Sequence, residues 1–159
     1  MKPSTFLIAL LLVTSTAFSQ STYDRSGRLT KHRVVSDKVR FVALAATSII
    51  LNGVGDALNA NPNTKSAGHI FNACSIGTLV ATPFVVNYNK RKWYIYALSY
   101  GFIRAGIFDP AYNISRKLPY NYTGTSNVWD RFWKQNGGRN VFDMSLFLTV
   151  GIAIPLNEL

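Results

Sequence analysis

LNGVGDALNANPNTKSAGHIFNA, residues 51–73, is the stretch on which the fold turns. It holds the end of one apolar run, a polar turn at 59–66 (NANPNTKS) and the start of a second apolar run. The two runs, VRFVALAATSIILNGVGDALN (39–59) and GHIFNACSIGTLVATPFVVNY (68–88), are 21 residues each, and Pro83 in the second, like Pro155 near the end of the chain, would kink or end a helix in water but is tolerated within a membrane bundle. Strands usually stop after roughly 3–10 residues. Runs of this length are helices, and a short Asn/Pro-rich link joins helices that lie antiparallel. The stretch is therefore the turn of a helical hairpin. It places Asp56 and His69 on its two arms, close to the same end.

Two more apolar segments follow: WYIYALSYGFIRAGIF (93–108), after the link NKRK, and NVFDMSLFLTVGIAIPL (140–156). The predicted fold is all-α, a four-helix antiparallel transmembrane bundle with spans near 39–59, 68–88, 93–108 and 140–156. Its Gly, Ala, Ser and Thr content suits close helix packing in lipid. The third and fourth segments are short for full spans, and a buried bundle in water is the alternative. Asp109-Pro110 reads as a helix stop.

Charge supports the membrane reading. Only 15% of residues are charged, against about 25% in an ordinary chain, while the net charge is +10. Of the 17 basic residues, all but Lys2, Lys65 and Arg104 fall in three blocks, at 25–40, at Lys90-Arg91-Lys92 and at 116–139. A nucleic-acid binder spreads such charge over a surface; basic blocks confined to the gaps between apolar runs fit the flanks of membrane spans. The expected partner is a lipid bilayer with anionic headgroups, with no nucleic acid. A second membrane protein or another copy of the chain remains a possible partner.

The first residues, MKPSTFLIALLLVTSTAFSQ, have Lys2, an apolar core from Phe6 to Val13, and small residues Ala17 and Ser19 before Gln20. This is the pattern of a secretory signal peptide, expected over 1–19 and followed by a basic lead-in at 20–38. It implies an exported N-terminus at a bacterial inner membrane. Cys74, the single cysteine, permits no internal disulfide and reads as a small packing residue.

The connection 109–139 is rich in aromatic residues. In VWDRFWKQ, Trp129, Phe132 and Trp133 share a helical face and are expected in the headgroup layer, with Trp93 in the same role at the opposite face. Asn113-Ile114-Ser115 and Asn121-Tyr122-Thr123 match the glycosylation pattern, which arises readily by chance.

Alternating direction puts Asp56, His69, Arg104, Asp109 and Asp143 in one leaflet, with Asn52 and Asn72 about one turn deeper. Ser48, Asn52 and Asp56 line one helical face, as do Tyr96, Tyr100 and Arg104; His69 and Asn72 pair at i, i+3. A charge facing lipid costs at least about 2.5 kcal/mol, so these stripes should face inward. Arg104 stays charged and calls for a carboxylate, with Asp56 or Asp143 the candidates. Two readings stand. In one, the cluster fixes helix register, and Asp143 complements the start of the fourth helix behind a cap at Asn140. In the other, Asp56 and His69 are an acid/base pair acting on a lipid headgroup or other interfacial substrate. Arg104 is then the anion clamp, with Asn52, Asn72, Asp109 and Asp143 beside it. One plausible histidine and no paired cysteines give no metal signature, and no cofactor motif occurs.

The segments GDALN, KSAGHIFNA and FIRAGIFDPAYNISRKLPYNY together resemble small uncharacterised multi-span membrane proteins of bacteria and their phages. The resemblance covers residues 50–125 in pieces. It implies membrane location and carries no established activity.

Overall fold

A computed structural model describes residues 36–87, 92–124 and 128–157, with the side chain of Trp129 excepted. The expected signal peptide, the lead-in up to residue 35 and Lys90-Arg91 lie outside the described residues. Within them the chain is all-helical: α1 (Asp37–Asn59), α2 (Lys65–Val85), α3 (Trp93–Ser115), the short α4 (Val128–Gln135) and α5 (Val141–Leu156).

Local chemistry sets most of the ends. Ser36 caps α1, its Oγ accepting from the Lys38 N–H at 3.3 Å, and Asp37 complements the positive end of the helix. In the hairpin turn, the Asn61 side chain accepts from the Asn63 N–H at 3.0 Å. Pro62 opens a single 3-10 turn, and the Thr64 hydroxyl donates to the Leu58 carbonyl at 2.8 Å. Asn140 and Asp143 form a reciprocal capping box at the start of α5. The third helix differs from the expectation: it passes through Asp109-Pro110 and ends at Ser115. The Asn113 amide, buried there, donates to the Tyr120 and Tyr122 carbonyls at 3.0 and 2.8 Å. That amide staples the following loop and is not free to carry a glycan.

The long helices make an open bundle in the order α2, α1, α3, α5. Among the described residues α2 packs on α1 and on no other long helix. Residue pairs give the directions. Ser48 meets Ser75, and Asn59 meets Gly68, so α1 and α2 are antiparallel. Phe41 meets Tyr96 with ring centroids 4.9 Å apart, and Asn52 meets Arg104, so α1 and α3 are parallel. Ser99 donates to the Gly151 carbonyl at 2.6 Å, and Gly106 lies beside Leu148, so α3 and α5 are antiparallel. The core, with Phe41, Leu44, Ala45, Ile49, Val86 and Ile103, lies around α1.

Close approach is what lets these helices touch. A Cβ on Gly68 would fall 2.7 Å from the Gly55 carbonyl oxygen and 2.3 Å from Asn59 Oδ1. At the other crossing, a Cβ on Gly151 would fall 2.7 Å from the Ile103 backbone nitrogen. Backbone cannot give way as a flexible side chain can, so glycine is required there. Gly77, on the outer side of α2, has open space around it.

Two helical segments, Asp37–Asn59 and Pro62–Val85, are long and apolar enough to cross a membrane; α5 is a shorter apolar helix. They differ in burial. Of the apolar window, 56% is buried in the first and 17% in the second. The outer side of α2 therefore exposes Ile70, Ile76, Leu79, Val80 and Phe84. Cys74, expected to pack internally, is exposed on the same helix.

Gly68→Ala should lower stability by about 1–3 kcal/mol, because the α1–α2 crossing must open. Gly77→Ala should leave stability unchanged or raise it by up to about 1 kcal/mol. Thermal unfolding of the two variants in detergent measures both.

Candidate functional site

Four of the anticipated residues come together as one hydrogen-bonded relay across three helices. Arg104 Nη1, from α3, donates to Asn52 Oδ1 on α1 at 2.8 Å. Asn52 Nδ2 donates to Asn72 Oδ1 on α2 at 3.3 Å. Asn72 Nδ2 donates to Asp56 Oδ1, back on α1, at 2.8 Å. All four side chains are half-buried.

The order of donors is dictated by the ends. Arg104 can only donate and ionised Asp56 can only accept, so each amide turns its oxygen toward the arginine and its nitrogen toward the aspartate. The two amide dipoles align head to tail between cation and anion, and each bond polarises the next. Below the relay, the Ser75 hydroxyl donates to the Ser48 carbonyl at 2.7 Å and the two hydroxyls lie 3.1 Å apart.

The expected carboxylate beside Arg104 is not there. Among the described residues no Asp or Glu forms a salt bridge with it; Asn52 takes its N–H, and its guanidinium carbon lies 4.1 Å from the centroid of the Phe108 ring. Asp143 is occupied at the capping box of α5. His69 is exposed and, among the described residues, hydrogen-bonds to no relay member. The reason is angular. Gly68, Ser75 and Thr82 are the buried positions of α2, and Asn72 shares their side. His69 is one residue past Gly68, about 100° around the helix, and so falls outside the contact stripe.

Asp109 belongs to a second cluster that sequence reading left without a partner. Arg139, almost fully buried, donates to the Asp109 carboxylate and to the Ala105 carbonyl. Its guanidinium lies 5.4 Å from the Trp133 ring, and that ring meets Phe147 of α5 edge-on. The local chain delivers Arg139 to this place. Gly137 and Gly138 hold φ of +86° and +83°, and the Gly138 N–H bonds back to the Trp133 carbonyl at 2.8 Å, closing α4 in a glycine C-cap. Pro110 has no N–H for the Gly106 carbonyl one turn earlier, and Arg139 supplies donors beside that gap. The strap bonds the Ala105 carbonyl, one residue before the carbonyl that Pro110 leaves without its N–H, and so ties the loop to α3 at the level of the proline.

Of the four aromatic residues expected at interfaces, Trp93 and Phe132 are exposed, Trp133 turns onto Arg139 and α5, and the Trp129 side chain lies outside the described residues. Among the described residues no three His, Cys, Asp or Glu side chains are grouped to hold a metal ion. Arg139 carried one sequence signal: it is the basic residue next to the cap of the last apolar segment, across the loop from the unpaired Asp109.

No family model, curated protein or solved structure matches the chain.

Asn72→Ala should cost about 1–3 kcal/mol, since it leaves both Asn52 and Asp56 short of a partner. His69→Ala should stay within about 0.5 kcal/mol of wild type. Arg139→Met strands Asp109 and should cost about 3 kcal/mol, at the low end for a broken buried pair because Asp109 is partly exposed. Denaturant unfolding measures all three, and limited proteolysis should show the loop after α3 cut faster in Arg139→Met.

Proposed function

We propose that this chain is a small integral membrane protein, a structural or interaction component whose long helices cross the bilayer and whose polar relay locks them in register. The observation that carries this reading is the outer side of α2. From Ser66 to Val86 the chain has no Asp, Glu, Lys or Arg, and α2 leaves Ile70, Ile76, Val80 and Phe84 between 60% and 86% exposed. Soluble monomers rarely leave so large an apolar face open. Leu98 on α3 and Phe142 and Leu146 on α5 continue the apolar exterior.

Lengths agree with a bilayer. At 1.5 Å per residue, α1 and α2 measure about 34 and 31 Å, against a hydrocarbon core of about 30 Å. Exposed Trp93 and Tyr94 stand at one end, and exposed Tyr120, Tyr122 and Phe132 at the other, the distribution of aromatic belts. Lys38 and Arg40 stand at the first end and Lys65, Arg116 and Lys117 at the second, where anionic headgroups would meet them. The resemblance to bacterial and phage membrane proteins extends the proposal to a bacterial inner membrane.

The relay serves this architecture. Association of helices in lipid gains nothing from hiding apolar surface, so packing and interhelical hydrogen bonds must hold them. Here α2, an edge helix, is tied to α1 by Asn72 and Ser75. An acid/base pair of Asp56 and His69 has less support, because His69 stands outside the relay.

The native cysteine tests the membrane reading. Cys74 is exposed near the middle of α2. If α2 faces lipid, a membrane-impermeant maleimide should leave Cys74 unlabelled in intact and in opened vesicles, and label it only after denaturation. Prompt labelling in opened vesicles would mean that this face meets water, and the proposal would fail.

A further inference from the structure

The relay accounts for one edge of the Arg104 guanidinium and leaves the rest open. The Phe108 ring packs against it, with the guanidinium carbon 4.1 Å from the ring centroid. Asn52 takes a single N–H. An arginine has five such donors in a planar fork. Among the described residues no carboxylate lies within salt-bridge distance, and no nitrogen of Arg104 is among the buried polar atoms left without a partner. Its unused donors are therefore not sealed inside the protein, and they lie beside α1 where α2 and α3 pack on it and not on each other.

A second cation stands above it on the same strip. Arg104, Phe108, Tyr112 and Arg116 recur every four residues along one side of α3. The Phe108 and Tyr112 rings are stacked at 6.4 Å and 19°. Arg116 donates to the Tyr112 hydroxyl at 2.9 Å and lies 5.6 Å from that ring. Two guanidinium groups thus bracket two aromatic rings, with Arg116 exposed at the outer end and Arg104 half-buried at the inner end.

We propose that the open edge of Arg104 is a binding site for a phosphate group, reached past Arg116 along the Phe108–Tyr112 strip. The Phe108 ring holds the guanidinium carbon 4.1 Å from its centroid, so a ligand must offer acceptors to the N–H groups that neither Phe108 nor Asn52 occupies. A phosphate does this with two oxygens, and charge-assisted bonds of this kind are about twice as strong as neutral ones. The ligand charge also matters. Asp56 reaches Arg104 only through two intervening amides and Asp109, paired with Arg139, acts on it only from a distance, and an arginine in an apolar layer gains from a direct counter-charge. The phosphate could come from a lipid headgroup or from a soluble phosphate ester. The lipid source rests on the membrane reading above; the phosphate chemistry does not.

The test uses the full-length protein in neutral detergent with equal amounts of phosphatidylglycerol and the phosphate-free lipid monogalactosyldiacylglycerol. Native mass spectrometry reads the lipid retained. Wild type should retain phosphatidylglycerol over the galactolipid by about tenfold, the equivalent of 1.4 kcal/mol from one charge-assisted pair. Arg104→Gln should bring the ratio to parity, and Arg116→Gln should reduce it by about two- to threefold. Displacement of the retained lipid by inorganic phosphate would assign the site to soluble phosphates as well; resistance to displacement would assign it to the headgroup. A wild-type protein with no preference for phosphatidylglycerol and no binding of inorganic phosphate would overturn the proposal without reference to any variant. So would an Arg104→Gln protein that folds and keeps the wild-type ratio. If Cys74 labelling removes the membrane reading, inorganic phosphate binding by wild type against Arg104→Gln still decides the site.

Discussion

Everything in this fold depends on how closely other helices can come to α1. Where α2 crosses it, Gly55 and Gly68 bring backbone against backbone, and a methyl group on Gly68 would fall 2.7 Å from a carbonyl oxygen. On the other side, a Cβ on Gly53 would lie 3.0 Å from the Phe108 carbonyl oxygen of α3. Asn side chains are short. Asn52 and Asn72 can bond to each other only because the helices carrying them approach this closely. The glycines and the polar relay are thus one device: the first sets the distance and the second uses it.

Charge is handled differently on the two sides of α1. Toward α2, Arg104 and Asp56 are kept apart and joined through two amides, and all four side chains stay half-buried. Toward α5, Arg139 meets Asp109 directly, under the cover of Trp133 and Phe147. A buried ion pair needs further hydrogen bonds to offset desolvation. The Ala105 carbonyl provides one, in a helix whose ladder is already interrupted by Pro110. The direct pair fastens the long loop to α3, and the extended relay ties α1 to both α2 and α3.

Much of this was legible in the residues. Length, period and the NANPNTKS turn pointed to four long helices that alternate in direction, and alternation alone put Asp56 and Arg104 toward the same end, with Asn52 and Asn72 about one turn deeper. Those inferences need only the rise of a helix and the placement of its turns. Facing is more delicate. His69 is separated from the α1-facing stripe by one residue, and a rotation of about 100° carries a side chain from contact to solvent or lipid. Reach is more delicate still, since Arg104 spans enough distance that several partners at the same level satisfied the pattern.

The sequence by itself determined the helical class, the near-uncharged belt with cationic ends, the glycine positions and the gathering of polar groups toward one end. Tertiary structure decided which helices are neighbours, that Asn52 rather than a carboxylate meets Arg104, and that α3 continues past Pro110. The division has a physical cause. Periodicity and turn chemistry act within a few residues of the chain, so they can be read along it. A hydrogen bond between residues 52 and 104, or a strap from residue 139 to residue 109, depends on a helix crossing that backbone contact sets in space.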